Sequence, residues 1–157
     1  MKLKGQVAVV TGAGRNIGEE VAKLLSKEGA AIAVVDLDQG RANKVAGEIN
    51  AAGGKAKAFI CDVAKESDIE ATVKGVTEAF GRLDILVNNV AISDNKHMLD
   101  ITTEEWNRTI AITLTAPFLF GKHAAKAMIA AGNGGKIVNV SSTSGYYGRN
   151  RAVAYTA

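Results

Sequence analysis

Short apolar runs rich in valine and isoleucine alternate along the chain with longer segments of helical period. Apolar runs without polar alternation are typical of parallel strands that helices cover on both faces. The pattern predicts strands at 7–11, 31–36, 56–61, 83–88 and 136–141, and helices at 17–28, 41–51 and 67–80. We expect the first four strands to be buried. We expect the first helix to pack through the face formed by Ile17, Val21, Leu24 and Leu25.

The segment 102–131 predicts two consecutive helices. Thr102 is followed three residues later by Glu105, which is the spacing of a capping box at a helix start. The only proline, Pro117, predicts the joint between the two helices, because proline lacks the amide that a helix interior needs. Near the end of the chain, Ala154 and Tyr155 suggest the start of another helix.

This alternation of strands and helices predicts an α/β fold built on a doubly wound parallel sheet. Right-handed crossovers give the strand order 3-2-1-4-5. The order reverses between strands 1 and 4, so a ligand crevice is expected above their carboxyl ends. We expect the 157 residues to form one dinucleotide-binding domain.

The composition narrows the classes of function. The net charge of +3 is small and its lysines and arginines are scattered, so we expect no nucleic-acid partner. No apolar run approaches the roughly 18 residues that a membrane span needs, which favours a soluble cytoplasmic protein. The single cysteine, Cys61, excludes an internal disulfide, and its apolar setting favours a structural role. No group of histidines and carboxylates has metal-ligand spacing, so we expect no metal.

A glycine-rich segment, Thr11 to Gly18, joins the first strand to the first helix. Glycine there allows the backbone to approach phosphates closely, and the free amides at a helix start attract a diphosphate. The predicted diphosphate site therefore comprises Gly12, Gly14, Arg15, Asn16, Ile17 and Gly18. The alternative is that the glycines only form a tight turn.

An acidic residue, Asp36, closes the second strand 24 residues after Gly12. There it can accept hydrogen bonds from the adenosine ribose hydroxyls and repel a 2′-phosphate, which favours NAD. Leu37 follows it in the same predicted site. Two alternatives stay open: Asp36 caps the next turn, or Arg15 pairs with a 2′-phosphate and favours NADP. We give Asp36 more weight because it faces the 2′ position directly.

Five features together resemble the short-chain dehydrogenases/reductases of the shorter subtype. They are the glycine segment, Asp62-Val63 after the third strand, Asn88-Asn89-Val90-Ala91 after the fourth, Trp106, and Ser142 thirteen residues before Tyr155. The resemblance covers the chain from Lys4 onward. It corresponds to an amino-terminal portion of the family, with the carboxyl-terminal strands missing.

The resemblance implies further cofactor contacts. Asp62 would bond the adenine amino edge, Val63 would flank the adenine ring, and Asn89 would lie beside the adenosine ribose. Val90 stands in the cofactor loop where the family commonly has alanine. From the residues alone, Asp62 and the asparagine pair could equally be turn residues.

The resemblance also implies a catalytic set. Tyr155 matches the tyrosine that exchanges a proton with the substrate oxygen, and Ser142 matches the serine that bonds the same oxygen. Thr113 stands where the family has an asparagine that holds a relay water, and threonine could still bond a carbonyl or water. The family's lysine falls four residues after the tyrosine, beyond Ala157, so no residue is assigned to it.

These features favour an NAD-dependent dehydrogenase or reductase acting on a small-molecule alcohol or carbonyl substrate, with NADP also possible. Two alternatives remain: an NADPH-dependent 3-oxoacyl-thioester reductase, favoured by Arg15, and a nucleotide-binding fragment without activity. The resemblance implies a homodimer or homotetramer for the complete protein. The helical stripe Leu119, Phe120, Ala124 and Met128 is interpreted as core or subunit contact.

Overall fold

A computed structural model of the chain describes residues 1–132 and 134–157. The strands are β1 (Val7–Thr11), β2 (Ala31–Asp36), β3 (Lys55–Ile60), β4 (Ile85–Asn88) and β5 (Lys136–Asn139). The helices are α1 (Asn16–Lys27), α2 (Gln39–Ala51), α3 (Glu66–Phe80), α4 (Thr103–Ile110) and α5 (Ala116–Ala130). None of the helices in these residues is long and apolar enough to cross a membrane.

The five strands form one parallel sheet in the order β3-β2-β1-β4-β5, as the sequence predicts. In the centre of the sheet, Val9 of β1 lies beside Ala33 of β2 on one side and Leu86 of β4 on the other. The order in which strands are added reverses here: β2 and β3 extend the sheet on one side of β1, and β4 and β5 extend it on the other. This reversal leaves a crevice above the carboxyl ends of these two strands.

Helices cover both faces of the sheet. On one face, Val9 and Val35 pack in a buried cluster with Ile69 of α3 and Phe120 of α5. On the other face, the buried cluster contains residues of the central strands together with α1 and α2, among them Ala22, Val45 and Ile49. Phe120, Ala124 and Met128 of the apolar stripe are buried, and Leu119 packs against them, so the stripe is part of the core.

The predicted packing face of α1 is wrong for two of its residues. Ile17 and Leu24 are exposed by 64% and 61%. The buried residues of α1 are Gly18 and Ala22, with Val21 partly buried beside them. The face of α1 that packs on the sheet is therefore centred on small residues, with Val21 and Leu25 at its margin.

The prediction that β3 is buried is also wrong, because β3 is an edge strand. It begins with Lys55 rather than Ala56 and ends at Ile60. Lys55 lies over the ring of Phe80, and Lys57 lies over the ring of Phe59. Lysines on an edge strand discourage pairing with another sheet. The other edge, β5, is exposed at all four of its residues and ends at Asn139, before the predicted boundary.

The joint between α4 and α5 lies before Pro117. A π-helical segment at Ala111–Thr115 connects the two helices, and Pro117 occupies the first turn of α5. Proline has no amide to donate to the preceding turn, and it directly follows the segment in which the helical hydrogen-bond pattern changes. The capping box is confirmed: the amide of Glu105 donates to Thr102 Oγ1 at 3.2 Å, and the Thr102 amide donates to Glu105 Oε2 at 3.0 Å.

The carboxyl-terminal segment contains turns rather than the predicted helix. A 3-10 turn occupies Thr143–Gly145, and the chain turns again at residues 153–156. The second turn is closed by a bond from the Thr156 amide to the Ala152 carbonyl at 3.2 Å and by one from the Thr156 hydroxyl to the Val153 carbonyl at 3.1 Å. Tyr155 therefore lies in a single turn.

Candidate active site

A cleft of about 600 Å³ opens above the carboxyl ends of β1 and β4. It contains most of the residues that the sequence predicts for cofactor and substrate. The lining includes Gly12, Arg15, Asn16, Ile17, Asp36, Leu37, Asp62, Val63, Asn89, Val90, Ser142 and Tyr155. Gly14, Gly18 and Thr113 do not line the cleft and act on it only through neighbouring residues.

The glycine segment is shaped by close packing against the loop that follows β4. Gly12 has φ +63°, and a Cβ on it would lie 3.2 Å from Asn89 Nδ2 and from Val90 Cγ2. A Cβ on Gly18 would meet the Gly12 carbonyl oxygen and would lie 2.6 Å from Asn89 Nδ2. Glycine is therefore needed at both positions to let α1, its preceding loop and Asn89 touch.

The start of α1 lacks a side-chain cap. Within the described residues, Arg15 at the cap position makes no capping hydrogen bond, whereas the Asp38 side chain accepts from the Arg41 amide at the start of α2. Arg15, Asn16 and Ile17 all line the cleft. Uncapped amides and the positive end of the helix dipole favour an anion at this place.

Asp36 is held in a fixed orientation by backbone amides. Its Oδ2 accepts from the Gly14 amide at 2.9 Å, and its Oδ1 accepts from the Asp38 amide at 3.0 Å. A Cβ on Gly14 would lie 2.7 Å from Asp36 Oδ2, so this bond requires glycine. A carboxylate oxygen has two acceptor sites, so each oxygen can still accept from a ligand hydroxyl. The cap of α2 is Asp38, not Asp36.

Two of the arginines that share the cleft with Asp36 lie at helix starts. Arg15 and Arg41 both line it, and the Arg41 guanidinium lies 3.2 Å from Asp38 Oδ2. The Arg41 amide, and then its guanidinium, hold the pKa of Asp38 below its usual value. Sequence reasoning missed Arg41 because a basic residue in the first turn of a helix is indistinguishable from a surface residue. The only available signal was its place just after the acidic end of β2.

Thr11 joins the ends of the two strands that flank the crevice. Its Oγ1 accepts from the amides of Asn89 at 3.0 Å and Val90 at 3.1 Å, and donates to the Val87 carbonyl at 3.4 Å. The Asn89 side chain donates to the carbonyls of Thr11 at 3.0 Å and Gly12 at 3.4 Å. Asn89 therefore supports the glycine segment in addition to lining the cleft.

The residues after β3 form the far wall of the cleft. Asp62 Oδ1 accepts from the Ala64 amide at 3.1 Å, and Lys65 Nζ lies 3.5 Å from Asp62 Oδ2. Val63 is buried beside them. Burial raises the pKa of the Cys61 thiol to about 11, so this thiol is neutral near pH 7.

Ser142 and Tyr155, thirteen residues apart, line the same cleft. The Ser142 Oγ accepts from the Ser144 amide at 3.2 Å and lies 3.1 Å from the Ser144 hydroxyl. The other two tyrosines, Tyr146 and Tyr147, are exposed by 84% and 73% and lie outside the cleft lining.

Thr113 lies in the π-helical segment and bonds one residue of the loop after β4. Its Oγ1 donates to the Ile92 carbonyl at 3.0 Å and accepts from the Ile92 amide at 3.2 Å. The expectation that this threonine bonds a backbone carbonyl is therefore met within the protein. Ile92 lines the cleft, so Thr113 influences the cleft through Ile92.

Comparison with known families agrees with this geometry. A model of the short chain dehydrogenase family matches residues 6–157. The chain belongs to this family. The resemblance inferred from the glycine segment, the residues after β3 and β4, and the serine–tyrosine spacing is thereby confirmed.

Individual short-chain dehydrogenases match the whole chain. Galactitol 2-dehydrogenase from Agrobacterium fabrum is 41% identical over 157 residues, which are 100% of this chain and 60% of that protein. A metagenomic short-chain oxidoreductase solved in complex with NADP superimposes with a TM-score of 0.93, at 41% identity, over 99% of this chain and 71% of that one. A 7α-hydroxysteroid dehydrogenase complexed with NADH and 7-oxo glycochenodeoxycholic acid superimposes with a TM-score of 0.94, at 30% identity. The match covers 99% of this chain and 60% of that one.

The chain spans 60–61% of the length of the first curated relatives that it matches.

The α4 helix and the π-helical segment add two cleft residues that sequence reasoning missed, Arg108 and Ile112. They are four residues apart and therefore lie on one helical face. No sequence motif marks them, because their place in the cleft depends on tertiary structure.

Proposed function

We propose that this short-chain dehydrogenase transfers hydride between a nicotinamide cofactor, with NAD preferred, and a small-molecule alcohol or carbonyl compound. The observation that carries the proposal is the Asp36 carboxylate, bonded to the Gly14 amide at the edge of the crevice. This bond places an acceptor for ribose hydroxyls next to a helix start suited to a diphosphate. The NADH and NADP complexes of two similar structures support a nicotinamide cofactor.

The described residues fit such a cofactor from one end of the cleft to the other. The uncapped start of α1 would hold the diphosphate, and Asp36 the adenosine ribose. Asp62 and Val63 would contact the adenine, and Asn89 and Val90 would form the part of the cleft wall next to the glycine segment. Close contact at Gly12 leaves no room for a side chain between the loop and Val90.

A bound nicotinamide would supply the hydride donor or acceptor. In carbonyl reduction, the Tyr155 hydroxyl would donate a proton to the substrate oxygen, and in alcohol oxidation the deprotonated Tyr155 oxygen would accept one. The Ser144 amide fixes Ser142 Oγ in place. Rotation of the Ser142 hydroxyl hydrogen away from Ser144 would let it donate to the same substrate oxygen and hold it near Tyr155.

Arg15 and Arg41 favour a second candidate, an NADPH-dependent 3-oxoacyl-thioester reductase. Both arginines line the cleft that Asp36 lines, and a guanidinium can bind a 2′-phosphate through two hydrogen bonds. To do so, Arg41 would have to leave Asp38. We favour NAD because Asp36 is fixed by two backbone amides and cannot withdraw from a 2′-phosphate without losing both bonds.

Calorimetric titration of the chain with NAD and with NADP tests the cofactor. Asp36→Asn should weaken NAD binding by about tenfold or more, since it removes the charge from a charge-assisted hydrogen bond. It should also strengthen NADP binding, because repulsion of the 2′-phosphate is lost. Asp100→Asn, an exposed aspartate outside the cleft, is the matched control and should change neither affinity. Tighter binding of NADP than of NAD by the unaltered protein would reverse the preference, and binding of neither would overturn the proposal.

Initial rates with secondary alcohols and NAD test the chemistry. Tyr155→Phe should lower kcat by about 10²–10⁴-fold, which is the usual contribution of general acid–base catalysis, while cofactor affinity stays unchanged. Tyr146→Phe is the control, because that exposed side chain is outside the cleft lining. Cofactor binding by the unaltered protein without any turnover would instead favour a nucleotide-binding chain without activity.

A further inference from the structure

Asp94 connects the loop after β4 to the turn that carries Tyr155. Its Oδ2 accepts from the Val153 amide at 2.9 Å, and its Oδ1 accepts from the Tyr155 amide at 3.2 Å. The bonds span 59 and 61 residues of sequence, so they are tertiary contacts. Asp94 is half-buried and does not line the cofactor cleft.

The turn at residues 152–156 needs such a partner. Ala152 has φ +66°, a left-handed conformation that costs a non-glycine residue free energy and persists only where its surroundings enforce it. Ala152 and Ala154 are both buried, at 5% and 3% exposure. The amides of Val153 and Tyr155 both point to the Asp94 carboxylate. Backbone amides that converge next to a left-handed residue form a concave site for an anion, and the Asp94 carboxylate occupies this one.

The loop that carries Asp94 is itself attached to the protein core. Two residues before Asp94, both backbone polar groups of Ile92 bond Thr113 Oγ1 in the π-helical segment. A connected series of hydrogen bonds therefore runs from the π-helical segment through Ile92 and its loop to Asp94 and the Tyr155 amide. This series fixes the backbone of Tyr155 relative to the cleft wall.

We propose that Asp94 is a positioning residue for Tyr155: its carboxylate fixes the Tyr155 backbone so that the phenol stays in the cleft that Ser142 lines. The proton-transfer role of Tyr155 rests on the proposed function, whereas the hold of Asp94 on the Tyr155 backbone does not. Both carboxylate oxygens are used, one for each amide. Asparagine has one acceptor oxygen and should therefore replace aspartate only in part.

Amide hydrogen exchange, measured residue by residue by NMR on the ¹⁵N-labelled chain, tests the contact. Asp94→Ala should raise the exchange rates of the Val153 and Tyr155 amides by about tenfold or more, as expected for loss of a hydrogen bond to a charged group. Asp94→Asn should raise them by less. Asp100→Ala, in the same loop and with the same loss of charge, should leave them unchanged. Unchanged rates in Asp94→Ala, or equal increases in Asp94→Ala and Asp100→Ala, would overturn the proposal.

Tyrosine nitration by tetranitromethane, mapped by peptide mass spectrometry, tests the position of the phenol. In the unaltered protein, Tyr155 should react more slowly than the exposed Tyr146 and Tyr147, and NAD should protect it further. Asp94→Ala should raise the Tyr155 rate several-fold and remove the protection by NAD, while the rates of the other two tyrosines stay constant. A general loss of structure in Asp94→Ala would raise the nitration rates of all three tyrosines and would be visible by circular dichroism. In that case Asp94→Asn, which has a smaller expected effect, becomes the deciding variant.

The two experiments separate failure of this inference from failure of the proposed function. If NAD neither binds nor protects Tyr155 in the unaltered protein, the proposed function fails. The exchange rates and the nitration rates without NAD still decide the role of Asp94. If NAD protects Tyr155 equally in the unaltered protein and in Asp94→Ala, Asp94 does not position the phenol and the inference is wrong.

Discussion

At the scale of single residues, two helical glycines have opposite surroundings. Gly18 of α1 lies against the Gly12 carbonyl and Asn89, whereas Gly47 of α2 has no atom within 4 Å of the place where a Cβ would lie. Gly18→Ala should lower the free energy of unfolding by about 1–3 kcal/mol, as overpacking does, and should weaken NAD binding. Gly47→Ala should raise the free energy of unfolding by about 0.4–1 kcal/mol.

Urea denaturation and NAD calorimetry on both glycine variants provide the measurement. Equal effects of the two substitutions would show that the close packing of α1 on the glycine segment does not matter for stability or binding.

The residues of the cleft were predictable where a motif or a strand end marks them. Asp36 could be placed because it ends an apolar strand, and Ser142 and Tyr155 because their spacing matches a family pattern. Arg41 and Arg108 could not be placed, since helix orientation alone brings them to the cleft. The support that Asn89 gives to the glycine segment was also invisible, because its partners are backbone carbonyls 77 and 78 residues away.

At the scale of elements, one hydroxyl joins the π-helical segment between α4 and α5 to the loop after β4. Thr113 Oγ1 bonds both the amide and the carbonyl of Ile92. Thr113→Val keeps the side-chain shape but leaves both backbone groups without this partner, so the free energy of unfolding should fall by about 1–3 kcal/mol. Thr115→Val, in the same segment but exposed, should change it by less than about 0.5 kcal/mol.

Urea midpoints of the two threonine variants measure this difference. A Thr113→Val protein as stable as Thr115→Val would mean that solvent replaces the hydroxyl at no cost.

The order of the elements was predictable because strands and helices differ in hydrophobic period, and crossover handedness then limits the sheet order. The buried face of α1 and the joint between α4 and α5 were harder to predict. Gly18 and Ala22 form the buried face of α1, and small residues give a weak hydrophobic signal. Pro117 marks the first turn of α5 correctly, but no residue type announces the preceding π-helical segment.

At the scale of the whole molecule, Glu66 ties α3 to α5. Its Oε1 lies 2.9 Å from Lys122 Nζ and 3.0 Å from His123 Nε2. Lys122, and then His123, hold the pKa of Glu66 below its usual value. A carboxylate with a lowered pKa in the folded protein stabilises that state above its unfolded pKa of about 4.3, and this contribution is lost as pH falls through the folded pKa.

Glu66→Gln should therefore lower the Tm at pH 7, and the difference from the unaltered protein should shrink towards zero as the pH falls below about 4. Glu70→Gln removes the same charge from an exposed position of the same helix and should leave Tm unchanged. Calorimetric scans across this pH range measure both variants. A difference that persists at low pH would assign the effect to something other than the charge.

The polar bonds at the ends of β1 and β4 have a consequence for the width of the crevice. Beyond the last paired residues of β1 and β4, the Thr11 hydroxyl receives the amides of both Asn89 and Val90. This oxygen and the Asn89 side chain, which donates to the carbonyls of Thr11 and Gly12, together join the ends of the two strands. The width of the cleft between these strand ends is accordingly set by polar bonds of fixed length. Thr11→Val, a change of similar volume, would remove the bonds of the hydroxyl and leave those of the Asn89 side chain.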